Sequence, residues 1–386
     1  MADMKLKRSL LFTLVLVVIA AIIHFYSNDS TRVENQYSNG IYPAFGRFLR
    51  YLFGWLPFSI GDVLYGLIII WVIWKVIRSL KALAPLNFVR SFSKNPLGGR
   101  KENIFVKIKR KVSKQSLVAG FFKTFRILLI VYIVFNAFWG INYNRVGIAE
   151  QLQLKMNEYS LENLKMINGL LVEKVNTSKQ SLVTGHINYP TNKQLFSKVH
   201  GVYQQAEAVY PFLKYQPVSL KPSLWSWVGN YMGFTGYYNP FTGEAQVNTL
   251  VPKFLQPFTT CHEVAHQLGY AKEMEANFVA YLAATASEDT LLYYSVYLDL
   301  FMYSNRNLFM SDSVAARAFG KQLSPYVQAD LKEWRTFNIK HRNPVEPVFR
   351  WIYGIYLKQN QQPQGVLSYD EVTGFIIAWY KKYGKI

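Results

Sequence analysis

The sequence of 386 residues is poor in charge, cysteine and histidine. Only 17% of its residues are charged while 51% are hydrophobic, a balance that indicates a membrane protein with a sizeable soluble part. Its single cysteine, Cys261, excludes an intrachain disulfide. Histidine occurs only six times, so any clustering of histidines is informative.

Acidic residues are also scarce, and the resulting positive charge is unevenly placed. The chain has 23 Asp and Glu against 43 Lys and Arg, a net charge of +20. Residues 1–126 alone carry 20 Lys and Arg against 5 Asp and Glu. A basic surface can indicate nucleic-acid binding, but this distribution is better explained by membrane topology. We therefore expect a lipid bilayer as partner and no nucleic acid.

Three apolar runs indicate membrane-spanning helices. They cover about residues 9–26, 60–80 and 125–141, and each approaches the length that crosses a hydrocarbon core of about 30 Å. The first run resembles a signal peptide, but no small-x-small cleavage site follows it. We therefore predict an uncleaved, three-span membrane anchor over residues 1–142.

The charges of the loops predict the orientation of these spans. Residues 75–126 contain 14 Lys and Arg and one acid, Glu102. The positive-inside rule then places the N-terminus and a basic loop, 81–124, in the cytoplasm. Within this loop, the basic patch 107–114 is interpreted as a topology determinant, with contact to anionic lipid as the alternative. The prediction is a multi-pass protein of the cytoplasmic (inner) membrane, with residues 143–386 outside the cytoplasm.

Residues 143–386 are predicted to form one α+β domain that is mostly helical. Ser160 is suited to cap a helix that runs to about Lys179. Residues 218–220 and 244–250 are typical of short strands, and a turn lies at 239–243. We expect a small antiparallel sheet directly before the next helix, the order found in zincin-type peptidases. The strand 244–250 is a candidate edge strand for docking an extended peptide.

The most informative segment is residues 261–269, Cys-His-Glu-Val-Ala-His-Gln-Leu-Gly. On a helix, His262 and His266 lie on one face, one turn apart, so both imidazoles can bind one Zn²⁺. Glu263 would lie beside them as a general base for hydrolysis. Cys261 is not expected to be a ligand, because adjacent helical residues point about 100° apart.

Catalytic zinc usually takes three protein ligands, so a third must follow downstream. The metzincin pattern requires a histidine at position 272, which is Lys272 here. Three glutamates remain: Glu273, Glu275 and Glu288. A second helix that begins near Glu273 and packs against the first would place Glu275 in its first turn, so Glu275 is preferred. Glu288 has the spacing closer to that of thermolysin-like enzymes.

Several of these segments also resemble known families. The run Glu-Ala-Asn-Phe-Val-Ala at 275–280 is similar to a gluzincin signature, in which the glutamate is the third zinc ligand. Segments 239–248, 262–283 and 364–372, behind three apolar runs, resemble a bacterial membrane family known as domain of unknown function 3810. Many gluzincins carry an aspartate where this chain has Val279, so Asn277 or a backbone group would have to orient a histidine.

The sequence thus predicts a membrane-anchored zinc hydrolase, a gluzincin-like metallopeptidase that cleaves peptide or amide bonds outside the cytoplasmic membrane. The metal ligands would be His262, His266 and Glu275, with Glu263 as base. The substrate class is a peptide or protein, for example of the cell envelope. The alternative is a zinc-binding sensor or scaffold without turnover. Candidates for stabilising an oxyanion are His200, Tyr237, Tyr303, Arg306 and Tyr369.

Overall fold

The structure is a computed structural model that describes residues 2–83 and 114–386. The chain divides into two compact units. The first consists of Met1–His24 and Val63–Asn136, and the second of Phe25–Asp62 and Ala137–Ile386. The second unit includes Phe25–Asp62, a segment that lies within the anchor predicted over residues 1–142.

The described residues are mostly helical. The α-helices are α1 Ala2–Ser27, α2 Ser30–Arg32, α3 Tyr42–Phe53, α4 Ile60–Leu83, α5 Lys114–Phe138, α6 Ile148–Gln151, α7 Leu161–Thr184, α8 Asn192–Val209, α9 Ser226–Met232, α10 Gln256–Gln267, α11 Glu273–Thr285, α12 Thr290–Ser311, α13 Ser313–Lys321, α14 Pro325–His341, α15 Val345–Gln359 and α16 Val372–Tyr383. A π-helix covers Val33–Ile41, and 3₁₀ turns cover Gly140–Asn144, Pro211–Leu213 and Gly365–Tyr369. The strands are β1 Leu220–Pro222, β2 Gly236–Asn239 and β3 Glu244–Val247.

Within residues 2–83 and 114–386, three helices are long and apolar enough to cross a membrane, as predicted. Their apolar windows are Arg8–Ser27, Ile60–Leu80 and Val118–Phe138. The third window begins before the predicted 125–141. It also ends earlier, because Trp139 leaves helical geometry at φ −156° and ends α5. The predicted basic loop 81–124, with its patch 107–114, falls largely on residues 84–113, outside the described part of the chain.

The second unit contains a three-stranded sheet in the order β1-β3-β2. β2 and β3 are antiparallel, joined by the predicted turn at 239–243, but β1 runs parallel to β3. The prediction of a purely antiparallel sheet was therefore wrong: α9 and β2 lie between β1 and β3, so the chain re-enters the sheet in its original direction. β3 is the central strand, so the expectation that 244–250 is a free edge was wrong as well.

The core of the second unit surrounds helices α10 and α11. Every residue of α10 is buried, and helices α7, α8, α12 and α16 contribute side chains to the same hydrophobic cluster. Helix α7 begins at the predicted cap, where Ser160 and Asn163 form a reciprocal capping box. The motif predicted from the sequence thus lies on a central, rigid element, which suits a precise arrangement of ligands.

Candidate metal centre

The motif lies on a helix–turn–helix formed by α10 and α11. Pro257 occupies the first turn of α10, where its missing N–H costs no hydrogen bond. The helix ends at Gln267, and Gly269 adopts φ +95°, a left-handed conformation that glycine permits at little cost. The chain then reverses, and α11 begins at Glu273, whose N–H donates to the Gln362 side chain at 2.9 Å.

This reversal brings together three side chains that could hold a metal ion. One carboxylate oxygen of Glu273, Oε2, lies 3.1 Å from His262 Nε2 and 3.4 Å from His266 Nε2. The two imidazole rings are perpendicular, with centroids 4.6 Å apart. All three side chains are buried, and their ligand atoms lie within 4.8 Å of one another. Two imidazoles and a carboxylate are a donor set that suits zinc.

The outer nitrogens of both imidazoles are engaged, which tests whether the site fits a metal. His262 Nδ1 lies 2.7 Å from Asn277 Oδ1, and His266 Nδ1 lies 2.7 Å from the Tyr270 carbonyl oxygen. Both partners are acceptors, so each Nδ1 donates a proton to its partner and each Nε2 faces the shared centre, where its lone pair would bind a cation once that nitrogen is deprotonated. The contact of Asn277 with a histidine is the one predicted from the absence of an aspartate at Val279. The three residues therefore fit a zinc ion.

Glu275, the ligand preferred from the sequence, lies elsewhere. It is two residues from Glu273 on α11, a rotation of about 200° around the helix axis, and so faces away from the imidazoles. Its carboxylate lies beside Gly147, and Lys272 Nζ approaches it at 3.9 Å. The structure brings Glu273 to the histidines in its place. Glu288, the other alternative, is exposed after the end of α11.

The candidate base, Glu263, is enclosed by the sheet. Its Oε2 atom is buried and has no hydrogen-bond partner among the described residues. A Cβ atom added to Gly236 at the start of β2 would lie only 2.5 Å from Glu263 Oε1, so glycine is required for this close approach. Burial raises the pKa of Glu263 to about 8. The carboxylate is thus held in a tight, buried space with one oxygen available to a ligand.

The charges of His262, His266 and Glu273 are coupled. Burial lowers the pKa of His262. Burial would also lower the pKa of His266, but the Glu273 carboxylate outweighs it and raises this pKa to about 9. The imidazoles in turn hold the pKa of Glu273 well below its usual range, against the effect of burial. Without a metal, His266 and Glu273 form an ion pair, and a bound cation would replace the proton of His266.

Two tyrosines close the other side of the centre. Tyr353 on α15 donates a hydrogen bond to Glu273 Oε1 at 2.8 Å, and its hydroxyl lies 3.1 Å from that of Tyr369. The Tyr369 ring stacks on His262, with centroids 6.1 Å apart and planes at 16°. Burial raises the pKa of both hydroxyls well above the usual value, so both stay protonated donors. Tyr369 was among the oxyanion candidates predicted from the sequence, and Tyr353 was not.

The other oxyanion candidates have different surroundings. Tyr303 packs against Tyr369, with ring centroids 6.4 Å apart. Arg306 pairs with Asp370, and Tyr237 donates to Asp62 at 2.5 Å. His200 packs against Tyr215 with a ring separation of 6.2 Å. Of the five candidates, Tyr369 is thus the one in ring contact with a predicted ligand.

Hydrogen-bond donors from Phe25–Asp62 and from Arg145 hold the turn between α10 and α11. The Gln267 carbonyl oxygen accepts from Tyr42 Oη at 3.2 Å and from Arg50 Nη1 at 3.1 Å. The Gly269 carbonyl oxygen accepts from Arg145 Nη1 at 3.2 Å. Arg50 and Arg145 also place positive charge at the C-terminal end of α10, where it is favourable. The segment Phe25–Asp62 is therefore part of the structure that positions the ligands.

Arg145 is buried, and its loss is expected to be costly. It forms a two-point ion pair with buried Glu34 and stacks on Tyr270 at 4.5 Å. Replacing Arg145 by methionine should lower the free energy of unfolding by about 3–5 kcal/mol, because Glu34 would be left with an unpaired buried charge. Denaturant unfolding of the full chain in detergent measures this change.

The exposed Arg317 on α13 provides the control, since Arg317→Met should change stability by only about 0.5 kcal/mol. Equal losses in Arg145→Met and Arg317→Met would contradict the role of Arg145.

The ion pair of Arg145 with Glu34 also predicts that stability depends on pH. Burial would raise the pKa of Glu34, but Arg145 outweighs it and lowers this pKa. The contribution of the ionised Glu34 to the free energy of unfolding is complete above the unfolded-state pKa of about 4.3. It is lost as the pH falls through the lower pKa of the folded state.

Comparison with known proteins identifies the family. The model of a family described as "Protein of unknown function (DUF3810)" matches residues 37–377. The chain belongs to the DUF3810 family. No curated protein and no solved structure matches the chain. The DUF3810 match includes His262, Glu263, His266 and Glu273, and it also includes most of the segment Phe25–Asp62 that holds their turn.

Proposed function

We propose that this DUF3810 protein is a membrane-anchored, zinc-dependent hydrolase that cleaves peptide or amide bonds outside the cytoplasmic membrane. His262, His266 and Glu273 would hold the metal, and Glu263 would act as general base. The observation that carries the proposal is the convergence of the two Nε2 atoms on Glu273 Oε2, with both Nδ1 atoms bound to acceptors. A helix with two incidental histidines has no need of this arrangement.

The proposed location follows from the three apolar helices and the distribution of charge. With three spans, the segment between the first two and the segment after the third lie on the same side of the membrane. Phe25–Asp62 and Ala137–Ile386 pack into one unit, which supports this topology. The basic residues between the second and third spans favour the cytoplasm for that loop. The unit with the metal centre would then lie outside.

In the proposed reaction, bound zinc would supply a Lewis acid that lowers the pKa of a coordinated water molecule towards about 7. Glu263 would take a proton from the attacking water and later pass it to the leaving amine. Its unpartnered Oε2 is available for this proton. The charge of the bound cation would stabilise the ionised Glu263 carboxylate and so counteract the effect of burial on its pKa.

The two tyrosines would have separate roles. Tyr353 binds Glu273 Oε1 and leaves Oε2 directed at the histidines, so it would orient the third ligand. Tyr369 stacks on His262 and keeps its hydroxyl proton, so it is the best-placed donor for the oxyanion that forms on the substrate carbonyl.

A peptide substrate would bind along β2. This strand is at one edge of the sheet, paired on one side with β3. Its first residue, Gly236, is the one that lies against Glu263. An extended peptide added to this edge by backbone hydrogen bonds would therefore run past the base.

Metal removal tests the proposal. The full chain, purified in detergent, is incubated with a peptide library, and products are identified by mass spectrometry. Dialysis against a zinc chelator should abolish cleavage, and one equivalent of Zn²⁺ should restore it, because all three ligands are supplied by the folded protein. Cleavage that survives complete removal of zinc would contradict the proposal.

A further inference from the structure

Helix α3 has one face buried against the rest of the second unit and one exposed face that is strongly aromatic. We propose that the exposed face, formed by Ile41, Phe48, Tyr51, Leu52 and Trp55, lies in the interfacial layer of the lipid bilayer. The occupant of this face would be the bilayer that the chain's own apolar helices cross. The inference rests on the membrane-anchored part of the proposed function and is independent of zinc and of catalysis.

The buried face fixes the helix in place. Tyr42 and Arg50 donate to the Gln267 carbonyl oxygen at the end of α10. Leu49 packs so closely on the turn before β3 that a Cβ atom added to Gly243 would lie 2.8 Å from Leu49 Cβ. With these contacts formed, α3 cannot rotate to bury its other side.

The exposed face is a continuous stripe at helical spacing. Ile41 is 62% exposed, Phe48 59% and Tyr51 77%, and Trp55 just beyond the helix is 76% exposed. These positions follow one another at intervals of three, four or seven residues, so they share one side. Water-exposed apolar stripes of this kind mark interaction sites. Tyr and Trp combine an apolar ring with a polar tip, which suits the boundary between lipid and water.

Chain continuity selects lipid over another protein as the occupant. Only six residues separate the end of α3 at Phe53 from the start of the apolar helix α4 at Ile60. That start is held by the buried Glu244 carboxylate, which accepts from the backbone N–H of Ile60 and of Gly61 at 3.1 and 2.6 Å. A helix tied this closely to the beginning of a membrane span must lie near the membrane surface.

The third apolar helix, α5, independently supports a position of α3 near the membrane surface. Phe45 on α3 packs edge-on against Phe138, the last residue of α5, with ring centroids 4.8 Å apart. The helix α3 therefore lies between the points where two apolar helices begin and end. The exposed Arg47 adjoins the aromatic stripe and is suited to lipid phosphates.

Spin-label accessibility of the full chain tests the inference. Cys261 is replaced by alanine, and single cysteines are introduced as Tyr51→Cys, Leu67→Cys or Met310→Cys and labelled. The protein is reconstituted in nanodiscs of zwitterionic and anionic phospholipid. The collision rate of the spin label is measured with oxygen, which concentrates in lipid, and with a water-soluble nickel chelate. Leu67 in α4 and Met310 in α12, 60% and 81% exposed, serve as the lipid and water references.

We expect the oxygen-to-nickel ratio at position 51 to exceed that at position 310 several-fold and to remain below that at position 67. A ratio equal to that at position 310 would overturn the inference and leave the membrane anchor intact. Low accessibility to both reagents would mean that protein covers the stripe, and would also overturn it. If position 67 does not favour oxygen, the membrane-spanning prediction itself fails, and this inference fails with it.

Discussion

Replacing Glu273 by glutamine is expected to reduce the zinc content of the purified full chain from about one ion to near zero. The substitution removes the negative charge that converges on both Nε2 atoms and replaces a strong ligand by a weak one. Loss of an outer-shell partner alone typically weakens metal binding about 10–100-fold, so loss of a direct ligand should exceed that range. Competition with a chromophoric chelator measures the affinity.

Glu275→Gln is the matched control, because it is the same change two residues away on the same helix. It should leave the zinc affinity within a few-fold of the unchanged protein, since Glu275 faces Gly147 and Lys272. Glu288→Gln, on an exposed carboxylate, should have no effect. Loss of zinc in Glu275→Gln with retention in Glu273→Gln would overturn the ligand assignment and support the one preferred from the sequence.

Glu263→Gln is expected to retain zinc and to lose hydrolysis. Glutamine keeps the shape of the side chain against Gly236, but its amide cannot take a proton from water. General acid–base catalysis typically contributes about 10²–10⁴-fold to a rate, so kcat should fall by at least that factor. Cleavage of a peptide found in the library experiment gives kcat, and metal analysis of the same sample gives the zinc content.

The comparison of zinc content with activity also distinguishes the two functional hypotheses. A sensor or scaffold with a metal site has no need of a base, so Glu263→Gln would change no property of such a protein. Unchanged hydrolysis in a fully zinc-loaded Glu263→Gln protein would remove Glu263 from the mechanism. A wild-type protein that binds zinc and cleaves no member of a broad library would favour the sensor.

Local spacing predicted the parts of the centre that depend on one helix. His262 and His266 needed only the helical period to be placed on one face. The turn at Gly269 and the contact of Asn277 with a histidine could also be anticipated, because they involve residues near the motif. The identity of the third carboxylate could not. Whether Glu273 or Glu275 faces α10 depends on where α11 begins, and an error of two residues turns the side chain to the opposite face.

Long-range contacts account for most of what the sequence could not predict. Tyr353 and Gln362 reach Glu273 from more than 75 residues away along the chain, and no local pattern distinguishes them from other residues of their type. The parallel pairing of β1 with β3 depends on the path of the chain through α9. In the sequence, Arg50 and Glu34 are ordinary charged residues of a loop between two predicted spans. Their contacts with Gln267 and Arg145 depend on the packing of Phe25–Asp62 into the second unit.

X-ray absorption at the zinc edge of the full chain tests the central claim most directly. Two imidazole nitrogens at about 2.0–2.1 Å and a carboxylate oxygen at about 2.0–2.2 Å are expected, with no sulfur at about 2.3 Å, because Cys261 is buried apart from the centre. Zinc binding and this spectrum should be lost in Glu273→Gln and kept in Glu275→Gln. A sulfur ligand, fewer than two imidazoles, or a spectrum that is unchanged in Glu273→Gln would contradict the proposed centre.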